Sequence, residues 1–370
     1  MWQYACYMEW RPDEPYSALP SLPPAVELET PPVLKSAIGA RAAVAALDQA
    51  AERMPNATVL LNALPILEAQ ASSEIENIVT TTDELFRFAQ DESDLAAPAT
   101  KETLRYRTAL FAGVRSIQTR PLSATTAIEI CSIVQGHDMD VRKLPGTIIA
   151  NPATRRAIYT PPQGEQVIRD KLANWASFVH GNDGLDPLVR MAAAHYQFEA
   201  IHPFADGNGR TGRILNILMM MNDGVLSSPI LYLSRYVIAH KDEYYRLLLE
   251  VTREGAWEAW VLFMLAAVES TATTTLAKID AIQALQRVVR EEVRQSSAGA
   301  NSDLLDVLFE QPYARIINVI QRCGVSRPTA AKWLHELADR GVVRDLKIGR
   351  ERLFINHRFL DILTRDDTGR

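Results

Sequence analysis

The 370-residue sequence is poor in cysteine. Cys6, Cys131 and Cys323 are scattered without metal-ligand spacing, which speaks against a disulfide framework and against a zinc centre. The N-terminal stretch MWQYACYMEWRPDEP has neither a basic segment nor an apolar run behind it, so no signal peptide is expected. Unbroken apolar runs such as ILNILMMM are far shorter than the roughly 20 residues that cross a bilayer, so no membrane association is expected and the location read from the sequence is the cytoplasm. A large charge of one sign is also missing. With 39 Lys+Arg against 45 Asp+Glu the net is −6, which excludes a surface built wholly for a polyanion and leaves room for one local basic face. Internal repeats and low-complexity tracts are absent, and strand patterns are scarce.

What is present is helical periodicity. Residues 11–34 carry seven prolines and are expected to run extended over the surface, outside any core. Helical patterns follow around KSAIGARAAVAALDQAA, around ATVLLNALPILEAQASSEIENIV with Pro65 as a bend or break, over KETLRYRTALFAGVRSI and over SATTAIEICSIVQ. In residues 144–163, LPGTIIANPATRRAIYTPPQ, β-branched residues flank an Asn-Pro turn, which predicts a hairpin. Helices resume from EQVIRDKLANWASFVHG to a long pattern ending near residue 293, followed by the linker-like SSAGANS. From residue 302 the order is helix, helix, turn, a helix capped by Ser326 and stopped at Gly341, then two strands, VVRDLK and ERLFIN; this predicts a winged helix-turn-helix. The expected fold is mainly α, a helical core with one hairpin plus this C-terminal domain. Its parts are residues 1–120, 121–265, a connector over 266–300, and 301–370.

The chemistry concentrates in HPFADGNGRTGR, residues 202–213. Gly207, Gly209 and Gly212 have the G-x-G-x-x-G spacing of a dinucleotide fold, but PLVRMAAAHYQFEAI before them has helical spacing and not the buried strand that such a turn requires. The element is helix, glycine loop, helix, which sets an anion site at a helix N-terminus. His202 can act as a base, Asp206 can hold a hard cation, the backbone of Gly207, Asn208 and Gly209 is open to a phosphate, and Arg210 and Arg213 follow. Singly, each has an ordinary structural reading: a packed histidine, a capping carboxylate, a solvated arginine. Together they suit phosphoryl or nucleotidyl transfer.

HPFADGNGRTGR matches every defined position of H-x-F-x-[D/E]-G-N-G-R-x-x-R, and in this it resembles the Fic family of protein adenylyltransferases, over roughly residues 121–265. The resemblance implies transfer of AMP from ATP to a Tyr, Ser or Thr hydroxyl of a target protein and of the enzyme itself. His202 would then be the base and Asp206 would bind Mg²⁺ bridging the α- and β-phosphates. The ATP site would comprise Gly207, Asn208, Gly209, Arg210, Thr211, Gly212 and Arg213, with Tyr244 and Tyr245 near the adenine. Tyr244 also fits a plain core aromatic. The hairpin resembles the family's target-binding flap, in which Ile158 and Tyr159 would clamp a target segment, and it also fits a purely structural hairpin. SSEIEN, with Ser72, Glu76 and Asn77, matches the family's inhibitory pattern [S/T]-x-x-x-E-[G/N], so Glu76 would occupy Arg213 and restrain the enzyme.

Three alternatives stay open: a DNA-binding regulator that senses a nucleotide, an enzyme of this fold that removes AMP, and one that transfers another phosphate-containing group. For the C-terminal domain, Arg327, Lys332 and Arg340 with Lys347, Arg350 and Arg352 could contact DNA phosphates. Twelve Lys/Arg against ten Asp/Glu from residue 301 onward fit protein contacts or a homodimer equally well.

Overall fold

A computed structural model describes residues 10–56, 58–89, 96–348 and 351–365, without the side chains of residues 348 and 351. Cys6 and Arg350 lie outside the described residues. Fifteen helices and five short strands are described. Helix α1 (Pro31–Glu52) starts with two prolines, whose missing N–H groups are harmless in a first turn. It buries Val33, Ala37, Ala40, Val44, Leu47 and Ala51, an alternation of four and three residues that keeps one narrow stripe on its partner. Helix α2 (Thr58–Ile75) is buried on nearly every side and runs unbroken through Pro65. The short α3 (Thr82–Phe88) is capped by Thr81, whose side chain accepts from the Glu84 N–H, and had no clear signal in the sequence. Helices α4 (Pro98–Ile117) and α5 (Ala124–Gln135) pack on each other and on the centre of the molecule.

The hairpin consists of β1 (Ile149–Ala150) and β2 (Ala157–Tyr159), antiparallel, with Ile149 opposite Tyr159. Its turn is tied by the Asn151 side chain, which accepts from the Ala153 and Thr154 N–H groups at 2.9 Å. Helices α6 (Glu165–Val179), α7 (Pro187–Ile201) and α8 (Asn208–Asn222) follow. α7 and α8 are the most enclosed elements, and two tryptophans brace α7 through their indole N–H groups: Trp175 donates to the Ala194 carbonyl at 3.0 Å and Trp260 to that of Ala192 at 2.8 Å. The pattern SRYVIAHKDEYYRLLLEV forms two helices, α9 (Leu233–Ala239) and α10 (Lys241–Glu254), divided at His240.

One expectation needs correction. The proline-rich arm is part of the core: Leu19, Leu22 and Leu28 are buried. Side chains of α6 and α7 hold its backbone. Lys171 donates to the Leu19 carbonyl at 2.6 Å, Asn174 bonds both backbone groups of Leu22, and Gln197 donates to the Pro20 carbonyl. Extended backbone leaves its polar groups open, and here neighbouring helices satisfy them. The expected connector is the second half of one helix, α11 (Trp257–Arg294), whose first half belongs to the core. By length and composition alone α11 could also cross a membrane, although no continuous apolar run announces it. Its apolar side lies against α1 and α7, and 56% of its most apolar window is buried within the fold.

The C-terminal part comprises α12 (Asp303–Glu310), β3 (Tyr313–Ala314), α13 (Ile316–Cys323), α14 (Arg327–Asp339), β4 (Arg344–Ile348), β5 (Glu351–Ile355) and α15 (His357–Thr364). The helix order and the β4–β5 hairpin are those expected; β3, which completes a sheet of order β3-β5-β4, and α15 are additions. This part is not a free appendage. Tyr313 donates to Asp83 on α3, Arg315 donates to the Arg87 carbonyl, and Lys278 of α11 donates to the carbonyls of Ile362, Leu363 and Arg365 at the end of α15. Of the basic residues suggested for DNA, Arg340 lies on Glu336 and the Gln295 carbonyl, and Arg352 on Asp345.

Candidate active site

The loop between α7 and α8 is set by two left-handed residues. Gly207, at φ 81°, begins α8. His202, at φ 49° and ψ 61°, ends α7, a conformation that costs a side-chain-bearing residue about 1–2 kcal/mol and so has to be held from outside. Arg142 holds it. Its Nε donates to the His202 carbonyl at 2.8 Å, its Nη2 reaches the Pro162 and Ile201 carbonyls, and its backbone N–H donates to the Pro203 carbonyl at 2.9 Å. Phe204 is fully buried and plugs the loop into the core. Arg142 stood in no sequence motif; only its tertiary contacts identify it.

His202 faces a cavity of about 250 Å³, shared with Glu76, Glu199, Gly209, Arg213 and Tyr244 and bordered by Ile158 and Tyr159 of the hairpin. Its Nδ1 is buried, and the Glu199 backbone is the hydrogen-bonding group within reach of the ring. Burial, with the positive charge of Arg142, lowers the imidazole pKa to about 4, so the ring is neutral at physiological pH and able to take a proton. Tyr159 is buried and donates to the Ala200 carbonyl at 2.8 Å, tying the hairpin to α7 two residues before His202.

The other motif residues divide between the cavity and the scaffold. Gly209 and Arg213 line the cavity. Asn208 spends its amide on the loop, accepting from the Phe204 N–H at 2.8 Å and donating to the Phe204 carbonyl at 2.9 Å. Arg210 is buried against Glu102 of α4 at 2.6 Å, and Gln135 of α5, with its amide oxygen toward them, accepts from Arg210 and the Gly207 N–H at 3.2 Å. Thr211 is fully buried toward Cys131. Gly212 packs against α7, where an added Cβ would meet Glu199 Oε1 at 2.4 Å. The side chains of Asn208, Arg210 and Thr211 are thus spent on neighbouring elements, and their backbone N–H groups at the start of α8 are what they can offer a nucleotide. Tyr244 is a core aromatic that also forms cavity wall, its hydroxyl 2.8 Å from His195 Nε2, while Tyr245 is 45% exposed at the rim. Asp206 is exposed, with Oδ1 accepting from the Gly207 N–H at 2.6 Å.

No group of three metal-ligating side chains occurs among the described residues. A single exposed carboxylate beside a phosphate cradle fits Mg²⁺ that arrives with its phosphates and keeps its waters, and does not fit an all-protein cage. Asp206 is the residue that would hold it.

The cradle itself contains a carboxylate of the chain. Ser72 of α2 and Glu76, in the turn just past its end, lie four residues apart and meet the same partner. Ser72 Oγ accepts from Arg213 Nε at 2.8 Å, its carbonyl accepts from Arg213 Nη2 at 3.0 Å, and Glu76 Oε1 accepts from Nη2 at 2.8 Å. Asn77 follows at φ 63°, the left-handed turn that asparagine and glycine tolerate, which is the physical content of the last position of SSEIEN. A Cβ placed on Gly209 would come within 2.3 Å of Glu76 Oε1. The carboxylate therefore lies on the bare backbone at the N-terminus of α8, where a helix favours an anion. Burial opposes its charge, but Arg213, then Arg210 and His202, hold its pKa below the usual carboxylate range. Lys241 of α10 donates to the Ile75 carbonyl at 2.6 Å and closes the end of this helix. Deeper in, Glu68 of α2 accepts from Tyr106 and from the Ser234 N–H, both at 3.0 Å, anchoring α2 to α4 and α9.

A helical core, a left-handed histidine and a helix N-terminus whose bare glycine backbone lies against the chain's own carboxylate make up the site. Three family models match the chain. Residues 34–115 match the Fic/DOC family N-terminal model, residues 121–220 the Fic/DOC family model, and residues 282–359 the model described as protein adenylyltransferase SoFic-like, C-terminal domain. The chain belongs to the Fic/DOC family. A protein adenylyltransferase fic-1 of Caenorhabditis briggsae is 41% identical over 68 residues, 18% of this chain and 13% of that protein. A protein adenylyltransferase Fic of Drosophila virilis is 30% identical over 105 residues, 28% of this chain and 20% of that protein. The chain thus spans a fifth or less of the length of these relatives. Among solved structures, a Fic family protein from Desulfovibrio desulfuricans superposes with a TM-score of 0.56 at 18% identity, over 88% of this chain and 96% of the other, which establishes the fold.

Proposed function

We infer that this protein is an adenylyltransferase that moves AMP from ATP to a hydroxyl side chain of a target protein, and of itself, under restraint by Glu76. The observation that carries the reading is the Glu76 carboxylate lying over Gly209 and on Arg213, beside His202. A protein that placed a carboxylate there for structure alone would not need an open cavity and a neutral imidazole next to it.

In the reaction the hydroxyl oxygen forms a bond to the α-phosphorus, the bond from that phosphorus to the bridging oxygen breaks, and pyrophosphate leaves. The hydroxyl proton passes to a ring nitrogen of His202. The first-turn N–H groups of α8 orient the α- and β-phosphates, and Arg213 meets the outer phosphate once Glu76 has left it. Asp206 would hold Mg²⁺, which supplies charge neutralisation along the polyphosphate. With Glu76 in place the outer phosphate is displaced and the α-phosphorus is out of line with the attacking oxygen, which is the basis of the restraint. The experiment is incubation of the purified protein, and of Glu76→Gly, with ATP and Mg²⁺. A mass gain of one AMP, larger in the variant, is expected. Intact ATP with no protein adduct in either sample overturns the reading.

A further inference from the structure

Glu199 is the cavity group that neither the motif nor the mechanism uses. It precedes His202 by one turn of α7, and its side chain lines the cavity. Oε1 is buried and has no hydrogen-bond partner among the described residues. A buried carboxyl oxygen without a donor is unfavourable in the free protein, and Glu199 lines the cavity into which a ligand would bring donors. The chain also makes room for it. The signature leaves position 212 undefined, yet this chain has glycine there, and Glu199 Oε1 lies where the Cβ of any other residue would intrude.

Which donor follows from the position. Gly209 and Arg213 of the cavity can take phosphates, and Tyr245, Leu248 and Leu249, which line the same cavity, suit a flat base. Glu199 lines the same cavity, within electrostatic reach of Arg213 and of Tyr244 and Tyr245. Between the phosphates and the base of a nucleotide lies its sugar, with two neighbouring hydroxyl donors. We propose that Glu199, seated over Gly212, is a specificity residue that accepts hydrogen bonds from the ribose hydroxyls of the bound nucleotide and so selects ribonucleotides over deoxynucleotides. Burial, opposed by Arg213 and aided by Glu76, raises its pKa to about 7, which is consistent with a carboxyl waiting for donors.

The proposal rests on the nucleotide reading above, and its test separates the two. Equilibrium binding of ATP, 2′-deoxy-ATP and 3′-deoxy-ATP is measured calorimetrically on the full chain carrying Glu76→Gly, and on that chain with Glu199→Gln, Glu199→Ala or Gly212→Ala added. The Glu199-bearing parent is expected to prefer ATP over at least one deoxy analogue by tenfold or more, the order of a hydrogen bond to a charged group. Glu199→Ala should lower ATP affinity by a similar factor and abolish the preference, Glu199→Gln should retain part of it, and Gly212→Ala, which displaces Glu199 without touching its charge, should erase it. Equal affinities for all three nucleotides in the parent, or a preference that survives Glu199→Ala, overturns the sugar contact while AMP labelling still supports the adenylyl-transfer reading. Absence of both nucleotide binding and labelling in every variant removes that reading and the proposal with it.

Discussion

At the scale of single residues, His202 and Glu76 act in opposite directions. The buried imidazole has a pKa near 4, and it must be neutral to accept a proton. Activity carried by it is present above that pKa and lost as pH falls through it. The kcat/KM of Glu76→Gly is therefore expected to stay flat from pH 8 to about 5, since removing the carboxylate that raises the pKa can only lower it further; a limb near 6.5 would mean a solvated ring. His202→Ala in the same background should abolish labelling and leave ATP affinity within a few-fold, because the ring is not assigned a phosphate contact. Glu76→Gly itself should exchange stability for activity. Losing the bond to Arg213 costs about 1.5–3 kcal/mol, so the thermal midpoint should drop by several degrees while labelling rises tenfold or more. Saturating ATP should restore much of the lost midpoint, because its phosphates replace the carboxylate on Arg213. An unchanged labelling rate with a lowered midpoint would make the pair structural only.

At the scale of elements, α2 is a lever fixed at three points: Glu68 between Tyr106 and Ser234, Ser72 on Arg213, and Lys241 on the Ile75 carbonyl. The last of these closes only the end that carries Glu76. Lys241→Met keeps most of the apolar stem and removes the ammonium, and it should raise labelling by a few-fold, less than Glu76→Gly, with little change in ATP affinity once Glu76 is also replaced. Equal labelling in Lys241→Met and its parent would show that the helix end needs no such cap. The hairpin is comparably fixed from behind. The arm meets it where Thr160 donates to the Pro12 carbonyl at 2.7 Å and the Tyr16 N–H donates to the Thr160 carbonyl at 2.9 Å.

At the scale of the whole molecule, no described residue beyond α11 lines the cavity of His202, yet the C-terminal part leans on the elements that carry Glu76. α12 packs on α2, and Phe86 of α3 stacks with Tyr313 at 6.5 Å. Deleting residues 301–370 exposes the outer side of α2 and α3. The truncated protein is expected to melt at lower temperature and to label itself at least as fast as the full chain, measured side by side with the same ATP. A folded but inactive truncation would place an essential part of the site, or of an active oligomer, in the deleted segment. Tyr313→Phe, which removes only the hydroxyl bonded to Asp83, should produce a smaller shift in the same direction.

The sequence alone determined the helical class, the hairpin, the order of the C-terminal elements, the loop bearing His202 and the pairing of Ser72 with Glu76, because each is set by local spacing: 3.6 residues per turn, a glycine at a left-handed position, a cap beside a helix start. Only the tertiary structure decided that the proline-rich arm enters the core, and that the side chains of Asn208, Arg210 and Thr211 are spent on neighbouring elements while Gly209 and Arg213 face the cavity. Arg142, Glu199 and Lys241 emerged in the same way. Their roles are contacts with groups 60, 13 and 166 positions away in the chain, His202 for Arg142, Gly212 for Glu199 and Ile75 for Lys241, and local periodicity carries no information about which distant group a side chain will meet.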